Sequence, residues 1–284
     1  MTVLCRDYGL ARRQQPERAG PDLRMKALAL IAIVAGCGRI GFDGPAARDG
    51  ASSDGPSDGT NDGSANPVDG PPGGAATVTY LGSTSTVQDL ATYTFNGISI
   101  GPPAANRIVV VSAFLGGVAV TPITSITVNA SQLTLTGQIV DTINGGSIAM
   151  GYRTIPTGAT AAITVTSANA DRAAITVYNI TALSEAPTEE SAALDGNLDT
   201  SSIGSNTDLR AGEVVIANVG HGANTATWTW GGTWLNYTEV VDTRWSELGG
   251  YTSAAATANS DGLRSIQATP STATQKLYNV ATWR

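Results

Sequence analysis

Arg107-Ile108-Val109-Val110-Val111-Ser112-Ala113-Phe114 decides how the rest of this chain reads. The run is almost wholly apolar, and its three consecutive valines are β-branched, a side-chain shape that suits a pleated strand better than a helix. A strand with one wet face would alternate apolar with polar residues. A continuous apolar run bounded by turn residues marks a central strand covered on both faces.

The flanking sequence supplies partners. Thr77-Val78-Thr79-Tyr80 and Thr92-Tyr93-Thr94-Phe95 alternate with period two, and Ser125–Val128, Leu133–Thr136, Ser147–Tyr152, Ala162–Thr166 and Ala174–Tyr178 follow, set apart by Gly, Asn, Ser and Pro. An acidic stretch over 184–210 reads as loop. Beyond it come Glu213–Val219, Thr225–Trp230, Asn236–Val241, Tyr251–Ala258, Leu263–Ala268 and Lys276–Trp283. No segment sustains a 3.6-residue apolar period. The expectation is an all-β domain over 76–284, a two-sheet antiparallel β-sandwich whose simplest form is a jelly roll. Its 209 residues suit one sandwich better than two domains.

Upstream the composition changes twice. Gly38 to Ala75 repeats Asp-Gly at 49–50, 54–55, 58–59, 62–63 and 69–70, then ends in Pro71-Pro72-Gly73-Gly74. So little apolar surface cannot offset the entropy of ordering, so this segment is expected to be a flexible tether. Its 38 residues would span about 35 Å r.m.s.. Before it, Arg24 and Lys26 precede an apolar run from Ala27 to Ala35, followed by Gly36 and Cys37. Charge, a short apolar run and small residues make a signal peptide over 1–36, too short to span a bilayer. Met1 to Arg24 reads as an overlong leader or an upstream extension before Met25. Its Arg12-Arg13 pair lacks the hydrophobic stretch that a twin-arginine signal needs directly after it.

The quartet Val34-Ala35-Gly36-Cys37 resembles the lipobox of bacterial lipoproteins. That resemblance implies a diacylglycerol on the Cys37 thiol, cleavage before Cys37, export, and a lipid anchor holding the domain to the cell envelope. With Gly38 rather than Asp next, it implies sorting to an outer membrane where the cell has one. In the domain, Tyr93–Gly101 and Asn106–Val111 resemble β-sandwich modules of phage virion and bacterial surface proteins. Those motifs are generic strand and turn signals and carry over no functional residue.

Charge and cysteine content exclude other classes. The whole chain is −7; six of 16 basic and three of 23 acidic residues precede Cys37, leaving ten against twenty, a net −10. Such a surface does not neutralise phosphates, so nucleic acid is not an expected partner. The cysteines are Cys5 and Cys37, so after processing no disulfide framework or thiolate metal site remains.

Candidate chemistry is sparse. The single histidine, His221, has no nucleophile-elbow serine to serve and reads as a turn residue after the strand ending at Val219. Adjacent glutamates such as Glu189-Glu190 are usually solvated loop residues, and an enzyme is not expected. In the tether, Asp58, Thr60, Asp62, Gly63 and Asp69 match part of a calcium-loop spacing, as an Asp-Gly repeat does by chance. Asp195-Gly196-Asn197-Leu198-Asp199 fits better, since Asp195, Asn197 and Asp199 could point three hard oxygens at one Ca²⁺. With Thr200 in place of the usual Gly and no glutamate to close the site, the expectation is a plain acidic loop and no cofactor, with calcium the alternative. All five tryptophans (228, 230, 234, 245 and 283) lie in the last 57 residues. Trp228 and Trp230, two apart on one strand, share a face. Exposed, they would stack on sugar rings; turned inward, they are core. The functional expectation is a lipid-anchored, surface-displayed, non-enzymatic module that binds a glycan or another cell-surface ligand. The alternative is a structural module contacting envelope proteins, and an outer-membrane barrel sits poorly with the tether and lipobox.

Overall fold

The protein is described from a computed structural model over residues 75–117, 119–221, 226–234, 238–245 and 249–284, with backbone alone at 221, 238–245 and 249. Cys37, the signal peptide, the Asp58–Asp69 spacing and nearly all of the tether lie outside the described residues. These described residues belong to one compact unit, Gly63–Arg284.

Among them there is no helix. The strands are β1 (Thr77–Thr86), β2 (Thr92–Ser99), β3 (Arg107–Gly116), β4 (Ser125–Val128), β5 (Ser131–Gln132), β6 (Thr134–Asp141), β7 (Gly146–Thr154), β8 (Thr160–Thr166) and β9 (Arg172–Thr181). The second half has β10 (Glu189–Asp199), β11 (Ile203–Leu209), β12 (Val214–His221), β13 (Trp228–Gly232), β14 (Thr238–Trp245), β15 (Gly249–Thr257), β16 (Gly262–Pro270) and β17 (Thr274–Trp283).

The antiparallel sandwich class is as expected; the sheets number four instead of two. Sheets β1-β9-β3-β7-β6 and β2-β8-β4-β5 form a first sandwich, and β10-β17-β12-β15-β14 and β11-β16-β13 form a second. Leaving aside the two-residue β5, the orders are identical when β1 is matched to β10 and so on to β9 and β17. A jelly roll is a rolled antiparallel ribbon: its first strand pairs with its eighth, the second with the seventh, the third with the sixth. Both halves obey this, through β1–β9, β2–β8 and β3–β7, then β10–β17, β11–β16 and β12–β15. The fifth ribbon strand departs from it, since β6 and β14 join the larger sheets as hairpins with β7 and β15.

The two five-stranded sheets stack on each other, giving four layers. All ten residues of β3 are buried. Val109, Val111, Ala113 and Leu115 enter the core of the first sandwich. Ile108, Val110 and Phe114 turn the other way, toward Val214, Ile216, Tyr251, Leu277 and Trp283 of the second. Each such aliphatic side chain contributes about 1.5–3 kcal/mol on burial, so β3 serves two cores at once. Gly220 permits the close approach: a Cβ there would lie 2.2 Å from the Phe114 ring. β1 lies against β14 and β15, while β6 lies against β10 and β17. Equivalent edges thus oppose each other crosswise, the pattern of an isologous two-fold pair built within one chain.

A neutral hydrogen-bond chain crosses this seat. Tyr178 bonds Ser253, whose hydroxyl donates to Asn218 Oδ1 at 2.5 Å. Tyr251 donates to the same oxygen at 3.0 Å. Asn218 Nδ2 donates to Asn279 Oδ1, and Asn279 Nδ2 to the Gly137 carbonyl, both at 2.9 Å. The chain starts and ends on the first sandwich and runs through the second. Sliding one sheet over the other would leave several buried polar atoms unpaired, so the network fixes the register of the stack.

Arg107, opening β3, is buried with no ion pair to a carboxylate among the described residues. Its guanidinium donates to the carbonyls of Gly101, Ile155, Thr157 and Gly158 at 2.6–2.8 Å, tying two loops to the strand, and burial lowers its pKa. The chain enters beside it, with the Ala76 N–H donating to the Gly212 carbonyl at 2.9 Å. Entry therefore binds both sandwiches at one end of the stack.

One correction concerns 184–210: it is not loop but holds β10 and β11. Both are edge strands, β10 with side chains mostly exposed or half-exposed, so their apolar period is faint.

Candidate functional site

The tryptophans come first because they carried the ligand expectation. Trp228 and Trp230 share a face, as period two requires, and that face points inward: they are 4% and 2% exposed, in the core between β12, β15, β17 and β11, β16. Trp230 stands edge-on to Trp234, ring centroids 5.7 Å apart. Trp283 is fully buried and donates its indole N–H to the Glu185 carbonyl at 3.2 Å. A ring closed on both sides cannot stack on sugar, so the platform on Trp228 and Trp230 is corrected to core. The side chains of Trp245 and His221 lie outside the described residues; the backbone of β12 reaches His221, two residues past the expected strand end.

The acidic loop gives the second correction. Asp195 and Asp199 do converge, on a cation that the chain supplies itself. Lys276 on β17 is fully buried, and its ammonium lies 2.9 Å from Asp195 Oδ2 and 2.6 Å from Asp199 Oδ1, with Ser201 Oγ at 3.3 Å. Cross-strand pairing places Asp195 opposite Lys276, and the register shift between 195 and 199 swings Asp199 back over it. The bond from Lys276, then that from the Ser201 hydroxyl, holds the Asp199 carboxyl at about 2; Asp195 is lowered chiefly by Lys276 too. Asn197 contributes its backbone N–H to Asp195 Oδ1 at 3.0 Å, and its side chain is exposed. Asp195, Asn197 and Asp199 therefore form a lysine clamp, and the two carboxylates aimed inward are already committed.

Among the clefts, two lie in seams that the duplicated strand order makes equivalent. In the first sandwich a cavity of about 140 Å³ opens between β1 and β2 over β9, lined by Leu81, Ile98, Ile175 and Val177 among small residues. Register shifts on β1 and β2 sit at Gly82 and Gly97, whose φ angles of 145° and 69° favour glycine. In the second sandwich a cavity of about 270 Å³ opens between β10 and β11 over β17, lined by Glu189, Glu190, Ser191, Asn206, Thr207, Val280 and Thr282. Glu189 pairs with Thr282 and Ser191 with Val280, a core residue, so these four share the core-facing side. Behind them, buried Glu213 accepts from the Thr282 hydroxyl at 2.8 Å and from the Arg210 N–H at 2.9 Å. Sequence reasoning named Glu189 and Glu190 as solvated loop residues; nothing local signals that their strand walls a cleft.

No family model matches the chain, and no curated protein or solved structure is similar to it at a significant level.

Proposed function

We propose that this chain is a lipid-anchored module displayed on a bacterial cell envelope, which binds a carbohydrate without transforming it. The observation that carries the reading is Val34-Ala35-Gly36-Cys37 placed between an apolar run and a 38-residue polar tether. The tether's junction at Ala76 adds support. Strand starts and ends put the 87–91, 142–145 and 200–202 turns at the end of the stack away from that junction, facing outward from an anchored base. A net charge of −10 after processing disfavours anionic ligands and leaves neutral hydroxylated ones. With Trp228 and Trp230 in the core, the module recognises sugars by hydrogen bonding in a cleft.

Mass spectrometry of full-length chain extracted from membranes tests the anchor: the expected N-terminus is Cys37 carrying a diacylglycerol, and a free thiol at Cys37 would end the reading. Envelope assembly is the second reading. It is favoured by exposed Leu194 and Leu198 on β10 beside Ile143 in the turn after the adjoining β6. Sedimentation of detergent-solubilised protein distinguishes the two, since a stable oligomer is expected only of the assembly module.

A further inference from the structure

We propose that the cleft between β10 and β11 is where the sugar binds, taking the hydroxyls of one neutral ring. This assigns a site to the glycan reading above and rests on it.

The lining has a defined donor and acceptor pattern. Thr282 gives its only proton to Glu213 Oε1, so toward the cleft its oxygen accepts. Glu189 offers a carboxylate, which only accepts. Thr207 on β11 is 4% exposed, lines the cleft, and has no side-chain hydrogen bond to any described residue. The hydroxyl itself is not among the fully buried atoms that lack a partner, so it opens to the cleft, where a ligand would meet it. Ser191 adds a rotatable hydroxyl, and Val280 an apolar floor. Carboxylate and hydroxyl oxygens around a small apolar patch match the vicinal hydroxyls and C–H face of a sugar. The volume, about 270 Å³, lies just under the roughly 300–1,000 Å³ of sites for drug-sized ligands, so one ring fits rather than an oligosaccharide.

The first sandwich provides an internal control. The corresponding seam between β1 and β2 is smaller, and it sets Ser83, Thr84 and Ser99 among Leu81, Ile98, Ile175 and Val177 with no carboxylate. The strand order therefore does not impose the carboxylate, which only the β10/β11 seam adds to its hydroxyls. A cation is the competing occupant of an acidic cleft. Against it, only Glu189 of the two lining glutamates shares the side of Thr282 and Val280, and the other liganding oxygens there would be neutral hydroxyls.

Detergent-solubilised full-length protein would be screened on an array of neutral and anionic sugars, then titrated calorimetrically with the best neutral one. Thr207→Val and Glu189→Gln would be titrated beside it, with Ser83→Ala in the other seam as control and tryptophan emission as the check on folding. Expected are binding of a neutral sugar by wild type, losses on the order of tenfold for each β10/β11-seam variant, and no change for Ser83→Ala. Undiminished binding by folded Thr207→Val and Glu189→Gln would overturn this site and leave the glycan reading standing. No sugar bound by wild type would overturn both. Calcium binding that Glu189→Gln abolishes, without any sugar response, would overturn the sugar in favour of a cation.

Discussion

The chain has two lysines, Lys26 and Lys276, and Lys276 is the one among the described residues. It lies fully buried between two carboxylates and a hydroxyl, so its amine is expected to resist acylation by an amine-reactive ester while the protein is folded. Peptide mapping would detect label at Lys276 only after denaturation; ready labelling of native protein would contradict the clamp. The clamp also predicts acid sensitivity. Asp199 is held at about 2 against an ordinary 3.8, so its contribution is complete above pH 4 and disappears as pH falls through about 2. Lys276→Met should lower the thermal midpoint by roughly 5 °C at neutral pH and flatten stability across that acid window. At the other extreme, burial pushes the Tyr251 phenol up to about 12 from 10 and raises Tyr178 further. A raised phenol stabilises the fold below pH 10, and that contribution is lost as pH rises through about 12. Absorbance titration should find these two tyrosines ionising only together with alkaline unfolding.

At the scale of elements, central and edge strands divide the labour. β3 carries residues for two cores and has no register shift toward either neighbour, β7 or β9. Each edge of the larger sheets is interrupted: β1 between 80 and 82, β6 between 136 and 139, β10 between 195 and 199, β14 between 239 and 241. A bulge twists an edge out of register with any incoming strand, which guards against edge-to-edge association. Deleting Gly82 should straighten β1, with Leu81 taking its place opposite Val177 and residues 77–80 keeping their partners. Sedimentation velocity is expected to show concentration-dependent association for the deletion and none for wild type. The bulges were not legible in the sequence, because Gly82 and Gly97 sit in runs that read equally well as strand ends. β10 was missed for a related reason: Glu-Glu-Ser-Ala-Ala-Leu-Asp offers little contrast between its faces.

Over the whole molecule, the face shared by the two large sheets makes the halves mutually dependent. Isolated, either half would expose its side of that face and break the Tyr178–Ser253–Asn218–Asn279–Gly137 chain, so both are expected to unfold in one transition. The tryptophans give a built-in test, because all five lie beyond residue 227, and Trp283 is set in the shared face against Tyr152 of the first sandwich. Far-ultraviolet circular dichroism reports on both sandwiches. Heat or urea unfolding followed by the two signals should superimpose, and a dichroism change preceding the tryptophan change would mean that the first sandwich opens independently. Gly220→Ala, which forces a methyl into the Phe114 ring, should shift both curves together by about 1–3 kcal/mol.

The sequence by itself determined the strand class, the two-sided burial of Arg107–Phe114 and the common face of Trp228 and Trp230. These are local properties: β-branching, side-chain alternation and the placing of turn residues act within a few positions of the chain. Only the tertiary structure decided that four sheets form instead of two, that Trp228 and Trp230 face inward, and that Asp195 and Asp199 close on Lys276. Each of these depends on which distant strand comes alongside, and an apolar face looks the same in sequence whether its partner is a sheet of its own sandwich or of the next.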